Sequence, residues 1–261
     1  MDETKNAQER SYTALQIVDK LCRENDIRYF LLAGTVLGAV RHGGFIPWDD
    51  DIDIGMLPAD YDKFTTICQK ALPENYFWST PDTNLLHSRF FGKIVSDGKH
   101  CLDVFPVFKT ADSMFLRKVQ WYQIKMLYVG LSYRLGELSE HKRTSLKQVC
   151  IAICAWLAGR LSRNTIIKLM HCVSRRYENA ETSTYINLFS RYKMHTESIK
   201  AEWLQELVPI KFENADFPAF KNTHDYLEHM YGNYMKLPPK SKRVGDHANV
   251  DIRVERVDVG E

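Results

Sequence analysis

Asp49, Asp50, Asp51 and Asp53 fall within five positions of the stretch IPWDDDIDIG. Carboxylates avoid burial unless they are paired or hold a cation, so an acidic run feeding a hydrophobic strand is a poor choice for packing alone. In an extended chain the side chains alternate, which puts Asp51 and Asp53 on one face and Ile52 and Ile54 on the other. The two carboxylates are then about 7 Å apart along the backbone, close enough to converge on one ion. Asp103 lies between Leu102 and Val104 in HCLDVFPVF, a second strand-like run. A neighbouring strand can therefore bring in a third carboxylate. Three carboxylates around one point repel one another strongly unless a divalent cation screens them, and an all-oxygen set favours Mg²⁺ or Mn²⁺ over zinc. Magnesium held this way keeps positions open for phosphate oxygens, as phosphoryl transfer requires.

Gly34-Thr35 supplies a complementary part. A glycine at a strand end allows close backbone approach, and a helix N-terminus behind it offers free N–H groups and a positive dipole to an anion. Each piece alone also has an ordinary reading, as a helix start, an acidic loop or a cap. Their order along the chain favours a metal and phosphate site.

The elements that must position these residues follow from periodicity. Leu15, Val18, Leu21 and Cys22 recur at spacings of three and four, which predicts an amphipathic helix over Tyr12 to Arg23. A buried strand is predicted over 27–34, then a short helix over 35–42 with Thr35 as its N-cap and with Gly38 and Ala39 allowing close packing. Gly43 and Gly44 end it. The strand DIDIGML follows, then a helix over Asp60 to Leu72, then strands over 89–96 and 100–108 joined by the tight-turn pair Asp97-Gly98. The fold class is α/β of the α+β kind: a mixed-sheet catalytic core over residues 1–110, with a helical subdomain appended.

Beyond Lys109 the texture changes to helical stretches at 115–135, 145–161 and 164–178. Residues 109–176 hold 13 Lys and Arg against 3 Asp and Glu, although the whole chain carries a net charge of only +2. A basic helical subdomain over 111–195 is predicted, with either a solvated basic rim or a helix face lying on an anionic membrane surface. The apolar run from Val149 to Ala158 is too short to span a bilayer, which takes about 20 residues. Residues 196–261 form a C-terminal segment with two strands around VPIKFENADFPAF and a helix, THDYLEHMYG, packing back on the core. The start MDETKNAQER lacks the segments of a secretory signal, so the expected location is cytoplasmic, peripheral on the inner face of the cell membrane. The six cysteines form no CxxC, sit among apolar neighbours and read as small buried hydrophobes. A zinc ion among Cys150, Cys154, His171 and Cys172 fits no common spacing.

The sequence GTVLGAVRHGGFIPWDDDIDIGM, with LDVFPV and YGNYMKLPP further on, closely resembles the LicD family of bacterial phosphocholine transferases, relatives of the fukutin group with a nucleotidyltransferase fold. The resemblance covers about residues 10–110 and 200–247. It implies transfer of a phospho-alcohol, typically phosphocholine from CDP-choline, to a hydroxyl of a cell-surface glycan such as teichoic acid, lipopolysaccharide or capsule, with release of CMP. It implies Asp51 and Asp53 as the metal pair, and Asp103 as third ligand or as base for the acceptor. Gly34 and Thr35 would hold the diphosphate, and Arg243 and His247 would lie near the site.

Charge on the phosphoryl oxygens calls for further cations, and Arg41 and Lys93 are the candidates on adjoining elements. Of the two aspartates before the DxD pair, Asp49 reads as functional and Asp50 as the turn's cap. Trp48, Trp78 and Tyr231 are candidates for a box around a quaternary ammonium, with core packing the default for any one of them. The same chemistry would serve CDP-glycerol or CDP-ribitol. Other readings are a nucleotidyltransferase releasing pyrophosphate and a membrane scaffold with no activity. The expected partners are a CDP-alcohol, a lipid-linked glycan acceptor and an anionic membrane surface, with no nucleic acid.

Overall fold

The computed structural model describes residues 2–87, 89–135 and 159–243. The predicted helix over 145–161 lies almost wholly outside these, as do Cys150, Cys154 and His247.

The core is a five-stranded mixed sheet in the order β1-β2-β5-β4-β3. Its strands are β1 (Phe30–Leu31), β2 (Asp53–Met56), β3 (Tyr76–Ser79), β4 (Gly92–Ser96) and β5 (Lys99–Pro106). β2 runs parallel to β5, and the other neighbours are antiparallel. Helix α1 (Asp2–Glu24) starts ten residues before the predicted one and buries Ala7, Ala14, Leu15, Val18 and Cys22. Ile52, Ile54, Met56, Ile94, Leu102 and Val104 are fully buried, so the apolar side of the alternation is the core side. Asp97 and Gly98 both have positive φ, which matches the tight turn their types predict between β4 and β5.

Helix α2 (Ala33–His42) begins two residues earlier than the sequence implies. Its N-cap position is Leu32, and Thr35 is inside the first turn rather than the cap. The left-handed Gly43 ends the helix, donating its N–H to the Ala39 carbonyl. A Cβ on Gly38 would lie 2.4 Å from the Gly44 carbonyl oxygen, so this glycine does permit the close packing expected of it. Strand β1 is only two residues long, shorter than the predicted 27–34, because helix α2 takes over at Ala33. Helix α3 (Pro58–Ala71) matches its prediction to within two residues and carries proline in its first turn.

The remainder is less legible in the sequence. Helices α4 (Met114–Arg134) and α5 (Arg163–Ser174) pack against each other. A three-stranded sheet of β6 (Phe108–Thr110), β7 (Thr184–Ile186) and β8 (Ser198–Lys200) joins them to the core, and these strands are too short to leave a period. After the short α6 (Ala201–Gln205) come the hairpin β9 (Leu207–Phe212) and β10 (Ala215–Phe220), then α7 (Thr223–Tyr231). The hairpin turn clasps the glycine loop behind α2: Glu213 N–H donates to the Gly43 carbonyl, and its Oε1 accepts from Phe45 N–H at 2.9 Å. No described helix is long and apolar enough to cross a membrane. Cys22, Cys68 and Cys101 are buried thiols, but Cys172 is exposed on α5, a correction to its reading as a core residue.

Candidate active site

Alternation and register build the site. Asp53 opens β2 and is paired in register with Asp103 on β5, which is in turn paired with Lys93 on β4. Three neighbouring strands thus set an acid, an acid and a base side by side. Asp51 precedes the strand, and oxygens of Asp51, Asp53 and Asp103 lie within 4.8 Å of one another. Asp49, Asp50 and Asp51 form a second such group.

The backbone of this acidic run is fastened from behind. On α1, Gln8 Nε2 donates to the Asp49 carbonyl at 2.7 Å and Ser11 Oγ to the Asp50 carbonyl at 3.1 Å. Thr35 Oγ1 accepts the Asp53 N–H at 2.8 Å, and Leu32 N–H donates to the Asp53 carbonyl at 2.9 Å. Thr35 therefore holds the first residue of β2. A Cβ on Gly34 would lie 2.9 Å from Asp49 Oδ2, so the missing side chain is what lets this carboxylate approach the start of α2.

The carboxylates differ in their surroundings. Burial and the charges of Asp51, Asp103 and Asp49 hold Asp53 well above the usual carboxylate range, with Lys93 opposing. Burial and then the charge of Asp51 push Asp49 up to about 8. Burial would raise Asp103 too, but the charges and hydrogen bonds of His100 and Lys93 overcome it and hold this carboxyl well below the usual range. Both partners reach the same oxygen: Lys93 Nζ donates to Asp103 Oδ1 at 2.7 Å, and His100 Nε2 lies 2.6 Å from it. Asp103 is accordingly anchored and ionised.

Of the remaining candidates, Arg41 donates to the Tyr234 carbonyl at 2.7 Å and to His42 Nε2 at 3.0 Å. Burial, with Arg243 nearby, lowers its pKa. The Arg243 guanidinium lies 5.4 Å from the Trp48 ring centroid. Arg41, His42, Trp48, Tyr234 and Arg243 form a basic and aromatic margin at the C-terminal end of α2. Trp78 is a correction: it is a core residue, edge-on to Phe64 at 5.2 Å, and cannot join a ligand box.

Residues 26–129 match the family described as LicD/FKTN/FKRP, nucleotidyltransferase domain. These residues thus form a LicD-type domain. Over 92% of its length the chain is 28% identical to the lipopolysaccharide cholinephosphotransferase LicD of Haemophilus influenzae, covering 95% of that protein. An uncharacterized protein of Rickettsia prowazekii is 47% identical over 136 residues, 52% of this chain and 47% of its own. The human ribitol 5-phosphate transferase FKRP is 53% identical over 34 residues, 13% of this chain and 7% of its own.

The LicD-type domain supplies the aspartates, but other residues close on them that the sequence reading did not single out. His100 has no motif and is found only through its contact with Asp103. Tyr226 accepts the Ala33 N–H at 3.1 Å, which seats α7 on the first turn of α2. Tyr192 meets Tyr231 edge to face at 6.4 Å, and the charge of Asp53 is among the causes that raise both phenols, after burial and the neighbouring groups. Tyr192 stands about 140 residues from the DxD pair in sequence, so only folding could reveal the contact.

Proposed function

We propose that this protein is a Mg²⁺-dependent phosphotransferase that moves phosphocholine from CDP-choline to a hydroxyl of a lipid-linked surface glycan, releasing CMP. The observation that carries the reading is the convergence of Asp51, Asp53 and Asp103 within 4.8 Å, where two neighbouring strands of a LicD-type domain meet. The donor set suits a hard divalent cation: it is all oxygen, with Asp103 buried and Asp51 and Asp53 half-buried, and burial and then like charges raise Asp53 while Lys93 opposes. Asp51, Asp53 and Asp103 would hold Mg²⁺, or Mn²⁺, which when bound supplies charge stabilisation for the phosphoryl oxygens. The name of the Haemophilus relative, cholinephosphotransferase, supports choline as the transferred alcohol. The match to a ribitol 5-phosphate transferase favours CDP-ribitol as a second donor.

In the proposed reaction the acceptor oxygen forms a bond to the phosphorus distal to cytidine. The bond from that phosphorus to the bridging oxygen breaks, and CMP leaves with the electron pair. The acceptor's proton needs a base. With Asp103 Oδ1 taken by Lys93 and His100, we assign Asp103 to ligation and Asp49 to the proton. Lys93 steadies the ligand. Gly34 and the open end of α2 would face the diphosphate, with Arg41 and Arg243 completing the cationic side. Peripheral membrane attachment is part of the proposal: Phe115, Tyr122 and Met126 are exposed on one face of α4 beside Lys118.

The test incubates the protein with Mg²⁺ and, separately, the CDP esters of choline, glycerol and ribitol, with and without a crude glycolipid acceptor. CMP release that needs Mg²⁺ and is lost in Asp53→Asn is expected. Release of pyrophosphate from a nucleoside triphosphate, with no CMP from any CDP ester, would instead make the protein a nucleotidyltransferase.

A further inference from the structure

A cavity of about 80 Å³ lies across the core sheet from the carboxylates. Register sets Trp78, Ile94 and Leu102 on one face and Lys93 and Asp103 on the other, and Phe64 of α3 packs edge-on to Trp78 at 5.2 Å. Helix α3 therefore covers the face away from the acidic site. The cavity opens between this helix, the loop that follows β3 and the C-terminal end of α5. Its walls are tied together. Arg175 Nη2 donates to both oxygens of Asp62 at 2.6 and 2.7 Å, which joins the end of α5 to α3. Arg163 Nη2 donates to the carbonyls of Pro81 and Asn84, which joins the loop to the start of α5. The Phe90 and His171 rings meet with centroids 4.7 Å apart.

The groups that line this cavity define what it can hold. Thr65 brings a hydroxyl oxygen that is cut off from solvent and has no hydrogen-bond partner among the described residues, a state that costs free energy until a ligand or water relieves it. At the exposed side Asp82 Oδ2 and His171 Nε2 stand 3.8 Å apart, too far to bond each other and close enough for one polar atom to reach both. Phe90, Pro106 and Phe108 supply apolar wall. Asp62 and Arg175 neutralise each other, so the buried side selects neither an anion nor a cation. A volume of this size holds about four heavy atoms. Within them a ligand must carry a donor for Asp82, an acceptor for Thr65 and an apolar end. A secondary acetamide has all three, in its N–H, its carbonyl and its methyl. The hydroxyls of a sugar ring would then meet the exposed Asp82 and His171, which an alkyl stem would leave unpaired.

We infer that this cavity is a second binding site, separate from the carboxylates, and that it takes the acetamido group of an N-acetylated sugar. The inference does not rest on the phosphotransferase reading, since no group of the acidic site takes part in it. The probe is methyl N-acetylglucosaminide, titrated into the full chain and followed by the backbone amide NMR signals, with methyl glucoside, Nε-acetyllysine and methylammonium as comparisons. The acetamido sugar should shift the amides of Thr65, Asp82 and His171 with a Kd on the order of 1 mM, the strength that about four buried heavy atoms can supply. Methyl glucoside should bind at least about 10-fold more weakly. Thr65→Val and Asp82→Ala should each weaken the acetamido sugar by about 10-fold. Because the Thr65 hydroxyl has no partner in the free protein, Thr65→Val should leave the melting temperature unchanged or raise it, which a structural role for that hydroxyl would not allow. Asp53→Asn should bind the sugar as tightly as the wild type. The assignment is overturned by an absence of shifts at these three amides, by equal binding of methyl glucoside, or by tighter binding of Nε-acetyllysine or methylammonium. Unchanged affinity in both cavity variants, or loss of binding in Asp53→Asn, would overturn it too.

Discussion

Replacing Asp49 by Asn in the metal-free protein should change how stability depends on pH. Burial and the neighbouring Asp51 raise the Asp49 carboxyl from 3.8 to about 8. Between those values the folded chain keeps a proton that the unfolded chain has lost, so wild-type stability falls as pH rises. The slope for one group is at most about 1.4 kcal/mol per pH unit, and the loss is complete above pH 8 and absent below 3.8. From pH 5 to pH 8 this amounts to at most about 4 kcal/mol, and solvent screening at this half-buried carboxylate brings it to about 2 kcal/mol. Asn carries no charge at any pH and presents an N–H where the protonated acid presents its O–H. At about 2 to 4 °C per kcal/mol for a chain of this size, the variant should melt about 4 to 8 °C above wild type at pH 8, with the gap closing towards pH 5. The assay is thermal denaturation by circular dichroism in EDTA at pH 5, 6, 7 and 8, repeated with excess Mg²⁺, which should shrink the gap at pH 8 by stabilising the ionised wild type. Parallel melting profiles for the two proteins across this range would refute the idea that crowded, buried carboxylates destabilise the site.

Lys93→Met takes one of two partners from Asp103 Oδ1, leaving His100 on it, and should cost about 3 kcal/mol, measured by urea unfolding, since Lys93 and Asp103 are both largely buried. Gly34→Ala should leave stability near wild type but lower CMP release by about 10-fold, because its Cβ would displace the Asp49 carboxylate from 2.9 Å. In Gly92→Ala the new Cβ would fall 1.8 Å from Trp78 Cη2, and a loss of about 3 kcal/mol or failure to fold is expected in the same unfolding assay. Sedimentation with anionic vesicles should show binding that weakens in high salt, and Phe115→Ser with Tyr122→Ser should weaken it by at least about 10-fold.

Much of the core was readable because its signals are local. A strand's alternation needs only consecutive residues, so Asp51 and Asp53 could be placed on one face, and Asp103 between two buried neighbours, from types alone. Asp97-Gly98 predicted its turn for the same reason. Thr35 was misplaced by one local rule competing with another: its hydroxyl suits an N-cap, but the Asp53 N–H offered it a partner in the sheet. Trp78 was open to misreading because an aromatic in a strand looks the same facing a core or a ligand. Only the space above Gly92 decided the matter.

The sequence by itself determined the chemistry on offer: three carboxylates with strand spacing, a glycine at a strand end and a motif specific enough to name a family. The tertiary structure alone decided which charges meet. Register made Lys93 the partner of Asp103, folding brought His100 to the same oxygen, and a distant loop carried Tyr192 to Tyr231. The physical reason is range. Backbone periodicity is written in neighbouring residues, whereas burial, charge coupling and ring contact depend on groups that the chain brings together only when its core closes.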